Sequence, residues 1–244
     1  MSGVYAVFWR EMAIFKRRLL RTLSSYAISP MLFLIAFGWG MGRNLQVEGV
    51  DYLTFMIPGL IALSSMSHSF GISIDINIAR FYWMTFEEFQ TAPISSLSVV
   101  LGEVLSGVVK GILASSVIFF LALAFGVNLK INGGFLLSLF LNTFMFASAG
   151  VVASMVVKSH ADQASFNSFF IVPMSFLCGT FFSLSRLPDW ACLIAKILPL
   201  THASLCIRAA ALGRELPLGS LLVMLIYSII LFLGAVYCVR RSSI

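Results

Sequence analysis

Between Arg186 and Glu215 the chain reads RLPDWACLIAKILPLTHASLCIRAAALGRE. This stretch is too apolar for a solvated loop, yet Pro188, Pro199 and Gly213 interrupt it too often for one membrane-crossing helix. Leu187-Pro188-Asp189-Trp190 has the form of a helix start with proline near its first position, and Pro199 stops that piece. Thr201 through Leu212 then forms a second short helix closed by Gly213. Half-length helices in lipid leave backbone groups unsatisfied, so such a pair must pack on protein or line a water-filled opening. The spacing predicts two short re-entrant helices over 187–213 that frame an outer vestibule or gate; two helices lying flat on the outer surface satisfy the same rule.

The rest of the chain supplies the membrane setting. Of 244 residues, 59% are hydrophobic and 11% charged, far from the roughly 45–50% and about 25% of a water-soluble domain. Ionisable side chains are costly at mid-membrane and therefore punctuate the spans. Charge-free windows run from Thr22 to Gly42, Tyr52 to Ile74, Gly111 to Leu129 with an earlier start near Leu97, Ile131 to Val157, Gln163 to Ser185, and Leu216 to Val239. Each has the length of a helical crossing, whereas barrel strands would alternate over about ten residues. The fold class is thus an all-α membrane protein of six transmembrane helices in a single domain over 1–244.

Lysine and arginine near the span ends set the orientation. Arg10, Lys16, Arg17, Arg18 and Arg21 precede the first span and Arg240 with Arg241 follow the sixth, so both termini are expected in the cytoplasm. The first apolar run is too long for a cleaved signal, and no convincing small-x-small site follows it. On a helical wheel Val4, Phe8, Met12, Phe15, Leu19 and Leu23 share one side while Arg10, Glu11, Arg17, Arg18 and Arg21 share the other. Residues 4–23 therefore form an amphipathic helix in the cytoplasmic interface, either as a lipid anchor or as a docking surface. Lys16 falls on the apolar side, where its long stem lets the ammonium snorkel.

The connection after span two carries Phe81, Tyr82, Trp83, Phe86 and Phe89 with Glu87 and Glu88, and Pro93 ends any helix near Thr91 or Ala92. A short helix exposing aromatics and acids suits protein contact, and an interfacial aromatic belt accounts for the same residues. Glu103 and Lys110 stand two turns apart on one face leading into span three. Snorkelling accounts for Lys110; the shorter Glu103 needs a partner or a wet cavity. His68 lies in the polar run Ser64-Ser65-Met66-Ser67-His68-Ser69, which is expected to hydrogen-bond between helices.

No CxxC, HExxH, EF-hand loop, GxxxxGK[ST] or GxSxG pattern occurs, so metal chemistry, nucleotide binding and serine hydrolysis by this chain have no motif to rest on. The basic residues do not gather into a patch among aromatics, which argues against nucleic acid. Cys178, Cys192, Cys206 and Cys238 show no disulfide framework and read as packing residues. A secondary carrier would show internal repeats and buried carboxylates deep in its spans. A membrane scaffold that translocates nothing stands as the alternative to transport.

The order of several short signatures carries a resemblance. These are the basic N-terminal helix, Tyr52-x-x-Phe55-x-x-Pro58-Gly59, Thr91-Ala92-Pro93-Ile94 before Gly102-Glu103, Cys178-Gly179-Thr180-Phe181-Phe182, Leu187-Pro188-x-Trp190, Leu198-Pro199-Leu200-Thr201-His202, and Arg208 with Leu212-Gly213. Together they resemble the membrane subunit of ABC-2 type exporters, the group of nodulation-factor, polysaccharide and daunorubicin-type export permeases. A departure is Ser183, where relatives often place proline after the paired phenylalanines.

The resemblance implies a homodimer in the bacterial inner membrane, among membrane lipids, that binds two cytosolic ABC ATPase subunits. ATP and Mg would be bound by those partners, with no cofactor in this chain. Residues 4–23 would be the interface helix and 81–92 the coupling helix. Arg10, Glu11, Arg17, Phe86, Glu87, Glu88 and Phe89 are the expected ATPase contacts, and Glu103 with Lys110 the cytoplasmic mouth. Phe181, Phe182, Pro188, Trp190, Pro199, His202 and Arg208 are expected at the outer gate. Lipo-oligosaccharide, polysaccharide, lipid and hydrophobic drug all fit as substrates, and the 198–213 stretch looks most like the nodulation-factor branch.

Overall fold

Proline and glycine positions decide where this apolar chain bends. A computed structural model describes residues 2–40, 46–85, 94–184 and 187–242. Helix α1 covers Ser2–Arg17, and α2, Leu19–Gly40, follows after Arg18 alone. The amphipathic stretch expected over 4–23 therefore ends at Arg17, and Leu19 to Leu23 open the first long apolar helix. A two-residue ribbon follows, β1 (Gln46–Val47) antiparallel to β2 (Val50–Asp51), with Gln46 opposite Asp51. Its turn residues Glu48 and Gly49 both have positive φ, at 52° and 78°, the backbone a two-residue hairpin requires.

Helices α3 (Tyr52–Phe70) and α4 (Ile72–Phe81) join at Gly71 into one 30-residue apolar rod. Span three begins at the earlier of its two expected starts, near Leu97. Helix α5 runs Ser96–Ala124, begun by the Ser95 hydroxyl accepting from Ser98 N. Helix α6 covers Gly133–Val156, with Asn132 accepting from Phe135 N at its start. Next come α7 (His160–Phe166), a π-turn over Asn167–Ile171 and α8 (Val172–Leu177), helical throughout. Pro173 can neither donate to the Phe169 carbonyl nor pass it without a clash, and the widened turn directly before it relieves that conflict. Helices α9 (Asp189–Ile197) and α10 (Pro199–Ala211) meet at 87°. Leu198 between them is extended, as a residue before proline prefers. Helix α11, Leu218–Ser242, closes the chain.

Five of these helical units are long and apolar enough to cross a membrane: α2, α3 with α4, α5, α6 and α11. Contacts identify the sixth crossing. Arg80 donates to the Ser154 carbonyl, Tyr82 meets the His160 ring at 5.4 Å, Asn77 bonds Gln163 and Ser242 bonds Met155, so these residues share one end of the bundle. At the opposite end Tyr52 bonds the Phe181 carbonyl, Arg214 bonds the Glu48 carbonyl and Lys130 N bonds the Ala211 carbonyl. The chain therefore crosses between His160 and Phe181, a helical length of about 27 Å over α7, the π-turn and α8. It then leaves and regains the hairpin end through α9 and α10. That pair is re-entrant, as its prolines predict.

Helix α3 is the hub, packing against α5, α6 and α10. In the apolar window of α3 and α4 78% of residues are buried, against 17% for α2 and 22% for α11. Lipid or another chain must cover those two helices. Polar side chains fasten the hub: Asn142 donates to the Ala62 carbonyl at 3.0 Å and to Ser65 Oγ at 2.8 Å, bonds that hydrocarbon surroundings favour over exposure.

Candidate functional site

At the end of the bundle holding both termini, one wheel face of α1 turns inward. Val7 is fully buried, and a Cβ on Gly102 would lie 2.6 Å from the Val7 Cβ. Only glycine lets α1 lie this close to α5. The approach carries Arg10 and Glu11 over the start of α5. Arg10 Nη2 meets Glu11 Oε1 at 2.7 Å and Glu103 Oε1 at 3.4 Å. Lys110 Nζ meets Asp75 Oδ2 at 2.7 Å and Glu11 Oε2 at 3.5 Å. The chain of contacts ties α1 to both α4 and α5.

This cluster joins three carboxylates to two cations. Glu103 is 1% exposed, and its Oε2 has no hydrogen-bond partner among the described residues. Lys110 is buried rather than snorkelling: two carboxylates hold its ammonium, and the Phe15 ring lies 6.0 Å away. Breaking such a buried pair from one side strands the other charge. A cavity of about 260 Å³ opens beside the cluster, bounded also by Arg18, Thr22, Tyr26 and Trp83.

Burial redistributes the expected partner contacts. Glu11 is buried and internally paired, which makes it a brace instead of an exposed contact. Arg10 is half-buried in the same cluster, while Arg17 is exposed. Phe86, Glu87, Glu88 and Phe89 lie outside the described residues. Of the expected 81–92 helix, Phe81 ends α4, and Tyr82, Trp83 and Met84 beyond it are exposed.

At the hairpin end a second constellation forms around Arg208. Its Nε donates to the Phe55 carbonyl at 3.0 Å, and its Nη2 to the carbonyls of Gly179 at 2.7 Å and Thr180 at 3.5 Å. Here backbone oxygens, not a carboxylate, receive a buried guanidinium, as its planar fork of donors permits. A Cβ on Gly59 would meet the Thr180 carbonyl at 2.7 Å and Arg208 Nη2 at 2.9 Å. The Pro58-Gly59 and Arg208 signatures thus belong to a single clasp between α3, α10 and the turn after α8.

Phe181 hangs from that turn. Its carbonyl accepts from Tyr52 Oη at 2.9 Å, and its ring lies 5.0, 5.9 and 6.1 Å from those of Phe33, Phe37 and Phe176. Phe182 is partly buried against the main core. His202 joins Ser220 Oγ at 3.1 Å to the Lys196 carbonyl at 2.9 Å, which pins the bend between α9 and α10 near the start of α11. Pro199 opens α10 at that bend. Pro188 and Trp190 are exposed. Ser183, the departure from the family pattern, bonds Glu48 Oε1 at 2.5 Å and so fastens the turn to the hairpin.

Several parts of this arrangement have no clear sequence signal. Asp75 reads as a span boundary, yet it is the closest partner of Lys110. His68 packs against Tyr26 with tilted rings whose centroids lie 3.7 Å apart, in place of the interhelical hydrogen bond its serine-rich setting suggests. The four cysteines are free thiols, and Cys178 and Cys206 are buried.

Comparison with known proteins fits this geometry. Nodulation protein J of Sinorhizobium fredii is 27% identical over 212 residues, covering 86% of this chain and 81% of that protein. Nodulation protein J of Bradyrhizobium diazoefficiens is 27% identical over 241 residues, covering 97% and 92%. The inner membrane transport permease YadH of Escherichia coli K12 is 25% identical over 231 residues, covering 93% and 90%. The family model described as ABC-2 type transporter matches residues 2–212, and the chain belongs to that family.

Proposed function

We propose that this chain is the permease subunit of an ATP-driven exporter in the bacterial inner membrane, working as a homodimer on two cytosolic ABC ATPases. The observation that carries the reading is the charged cluster Arg10–Glu11–Lys110–Asp75 with Glu103, which fixes the interface helix to two crossings. A push on α1 or on the segment after Phe81 is then felt by α4 and α5 together. Similarity to transport permeases over nearly the whole chain supports the same reading.

In this mechanism ATP and Mg stay in the ATPase, and this chain breaks no bond. Arg17 and the aromatic segment from Tyr82 onward, with Glu87 and Glu88, meet the ATPase; Arg10 and Glu11 hold α1 in place for that contact. ATPase closure shifts α1, and the cluster transmits the shift to α4 and α5. At the far end the Arg208 clasp and Phe181 form the outer gate. Both termini face the cytoplasm, in keeping with the lysine and arginine bias. The cargo is an amphiphile, and the nodulation-protein relatives favour one with a saccharide head.

The test is reconstitution of the chain with its ATPase in vesicles. The reading expects hydrolysis that depends on this chain, together with ATP-dependent movement of an amphiphile across the bilayer. Movement driven by a proton gradient with ATP absent would assign it to a secondary carrier instead.

A further inference from the structure

The cavity of about 260 Å³ beside the charged cluster is bounded by α1, the start of α2, α4 and Lys110 of α5. It falls just under the roughly 300 Å³ at which drug-sized sites begin, so it has room for a small polar head and not for a whole amphiphile. Its walls place it at headgroup depth. Trp83, 55% exposed, is one of them, and tryptophan settles where membrane meets water. Ile14, Phe15 and Ile78 add apolar surface. Helix α2 runs from this cavity into the membrane with only 17% of its apolar window buried, which leaves surface for acyl tails.

The charges decide what can enter. Within the cluster, Glu11, Asp75 and Glu103 outnumber Arg10 and Lys110 by one. Arg18 also lines the cavity, is exposed, and makes no ion pair among the described residues. With Arg18 counted, three cations balance three carboxylates, so the site is neutral as a whole but divided. Two groups keep bonding capacity for a guest. One is the Arg18 guanidinium. The other is Asp75, whose Oδ2 alone takes the Lys110 ammonium and whose side chain is 46% exposed, so that Oδ1 can still accept.

An anionic head would gain Arg18 but bring its whole charge against Glu11 and Asp75, and a simple cation would gain Asp75 but face Arg10, Arg18 and Lys110. A zwitterion satisfies both sides. A primary ammonium can donate to Asp75 Oδ1 and lie over the Trp83 ring, whereas a trimethylammonium has no N–H to donate. We infer that this cavity binds the head of a zwitterionic phospholipid with a primary ammonium, phosphatidylethanolamine: Arg18 takes the phosphate, and Asp75 with Trp83 takes the ammonium. A lipid seated there wedges between α1 and α4 beside the ion pairs that join them. The assignment needs only the membrane setting and stands or falls apart from the export reading.

The full chain is placed in phosphatidylcholine nanodiscs with a trace of phosphatidylethanolamine that carries a diazirine next to its glycerol, and adducts are mapped by peptide mass spectrometry. Adducts are expected within residues 14–26 and 74–83. Replacing part of the phosphatidylcholine by unlabelled phosphatidylethanolamine should dilute them about tenfold more effectively than the same amount of phosphatidylglycerol. Arg18→Gln breaks no ion pair of the described residues and should weaken labelling about fivefold, while Arg18→Lys should restore most of it. Asp75→Asn should bring phosphatidylethanolamine level with phosphatidylcholine while Glu11 still holds Lys110; should that variant not fold, the headgroup series and the Arg18 pair decide alone. Equal dilution by phosphatidylglycerol, or labelling indifferent to Arg18→Gln, would overturn the assignment. Competition by soluble phosphoethanolamine as strong as the lipid's would give the cavity to a free solute, and loss of the adducts on adding the ATPase would give it to that partner; either result also overturns it.

Discussion

The guanidinium carbon of Arg208 lies 3.8 Å from the centre of the Phe55 ring, and its Nε also donates to the carbonyl of that same residue. One side chain of α10 thus grips α3 through both ring and backbone. Removing the grip takes a charged donor from three carbonyls. Arg208→Ala is expected to destabilise the protein by about 2–4 kcal/mol. Arg208→Lys should cost about half as much, since an ammonium cannot span the Phe55 and Gly179 carbonyls as the fork does. Thermal unfolding in nanodiscs reads both, and equal stability of Lys and wild type would refute the fork argument.

Gly59 tests the same clasp from α3. Gly59→Ala drives a methyl into the Thr180 carbonyl and the guanidinium, and the overpacking should cost about 1–3 kcal/mol. Gly219→Ala, also in a helix but with nothing within 4 Å of its Cβ, serves as the neutral comparison. Helix propensity alone favours alanine at both positions, so a Gly59→Ala midpoint that does not fall below that of Gly219→Ala would show that the clasp accommodates the methyl.

The charged cluster predicts an asymmetry between its members. Lys110→Met takes the shared cation from Glu11 and Asp75; Glu11 keeps Arg10 and Asp75 is half exposed to solvent, so the loss should be about 1–3 kcal/mol. Glu103→Gln removes the carboxylate in excess and keeps the hydrogen-bond acceptor facing Arg10, so its stability should change by less than about 1 kcal/mol. If Glu103→Gln proves the more damaging, the order of dependence inside the cluster is wrong.

Charge reversal at Glu87 and Glu88 should weaken ATPase binding about tenfold while leaving insertion in the membrane unchanged. Co-purification with the ATPase and chain-dependent hydrolysis are the measurements. Unchanged binding would remove both residues from the docking surface.

Much of the architecture was readable because lipid enforces it. A crossing must be apolar over about 20 residues, so α2, α3, α6 and α11 stand out without reference to packing. The re-entrant pair followed from Pro188, Pro199 and Gly213, which act locally. The site was legible only in fragments. Arg208, Gly59 and Phe181 each appeared within a short signature, but nothing in their spacing says that one guanidinium joins all three segments. A helical wheel puts Glu11 on the polar side of α1 and shows only sides; the close approach at Gly102 brings that residue against α5. The π-turn before Pro173 has no sequence signal of its own, because a proline within a span predicts a disturbance and not its form.

The junction at Arg18 has a mechanical meaning. One residue joins the surface helix α1 to α2, so little slack separates them, and α2 hides few of its side chains inside the bundle. A helix so loosely seated sacrifices little when it tilts, and it forms one wall of the cavity that Thr22 and Tyr26 line. It behaves as a door leaf hinged at the inner surface: spin labels on α2 should change distance to α3 when nucleotide binds the ATPase, while labels on α1 hold their distance to α4 and α5, to which the charged cluster fastens it.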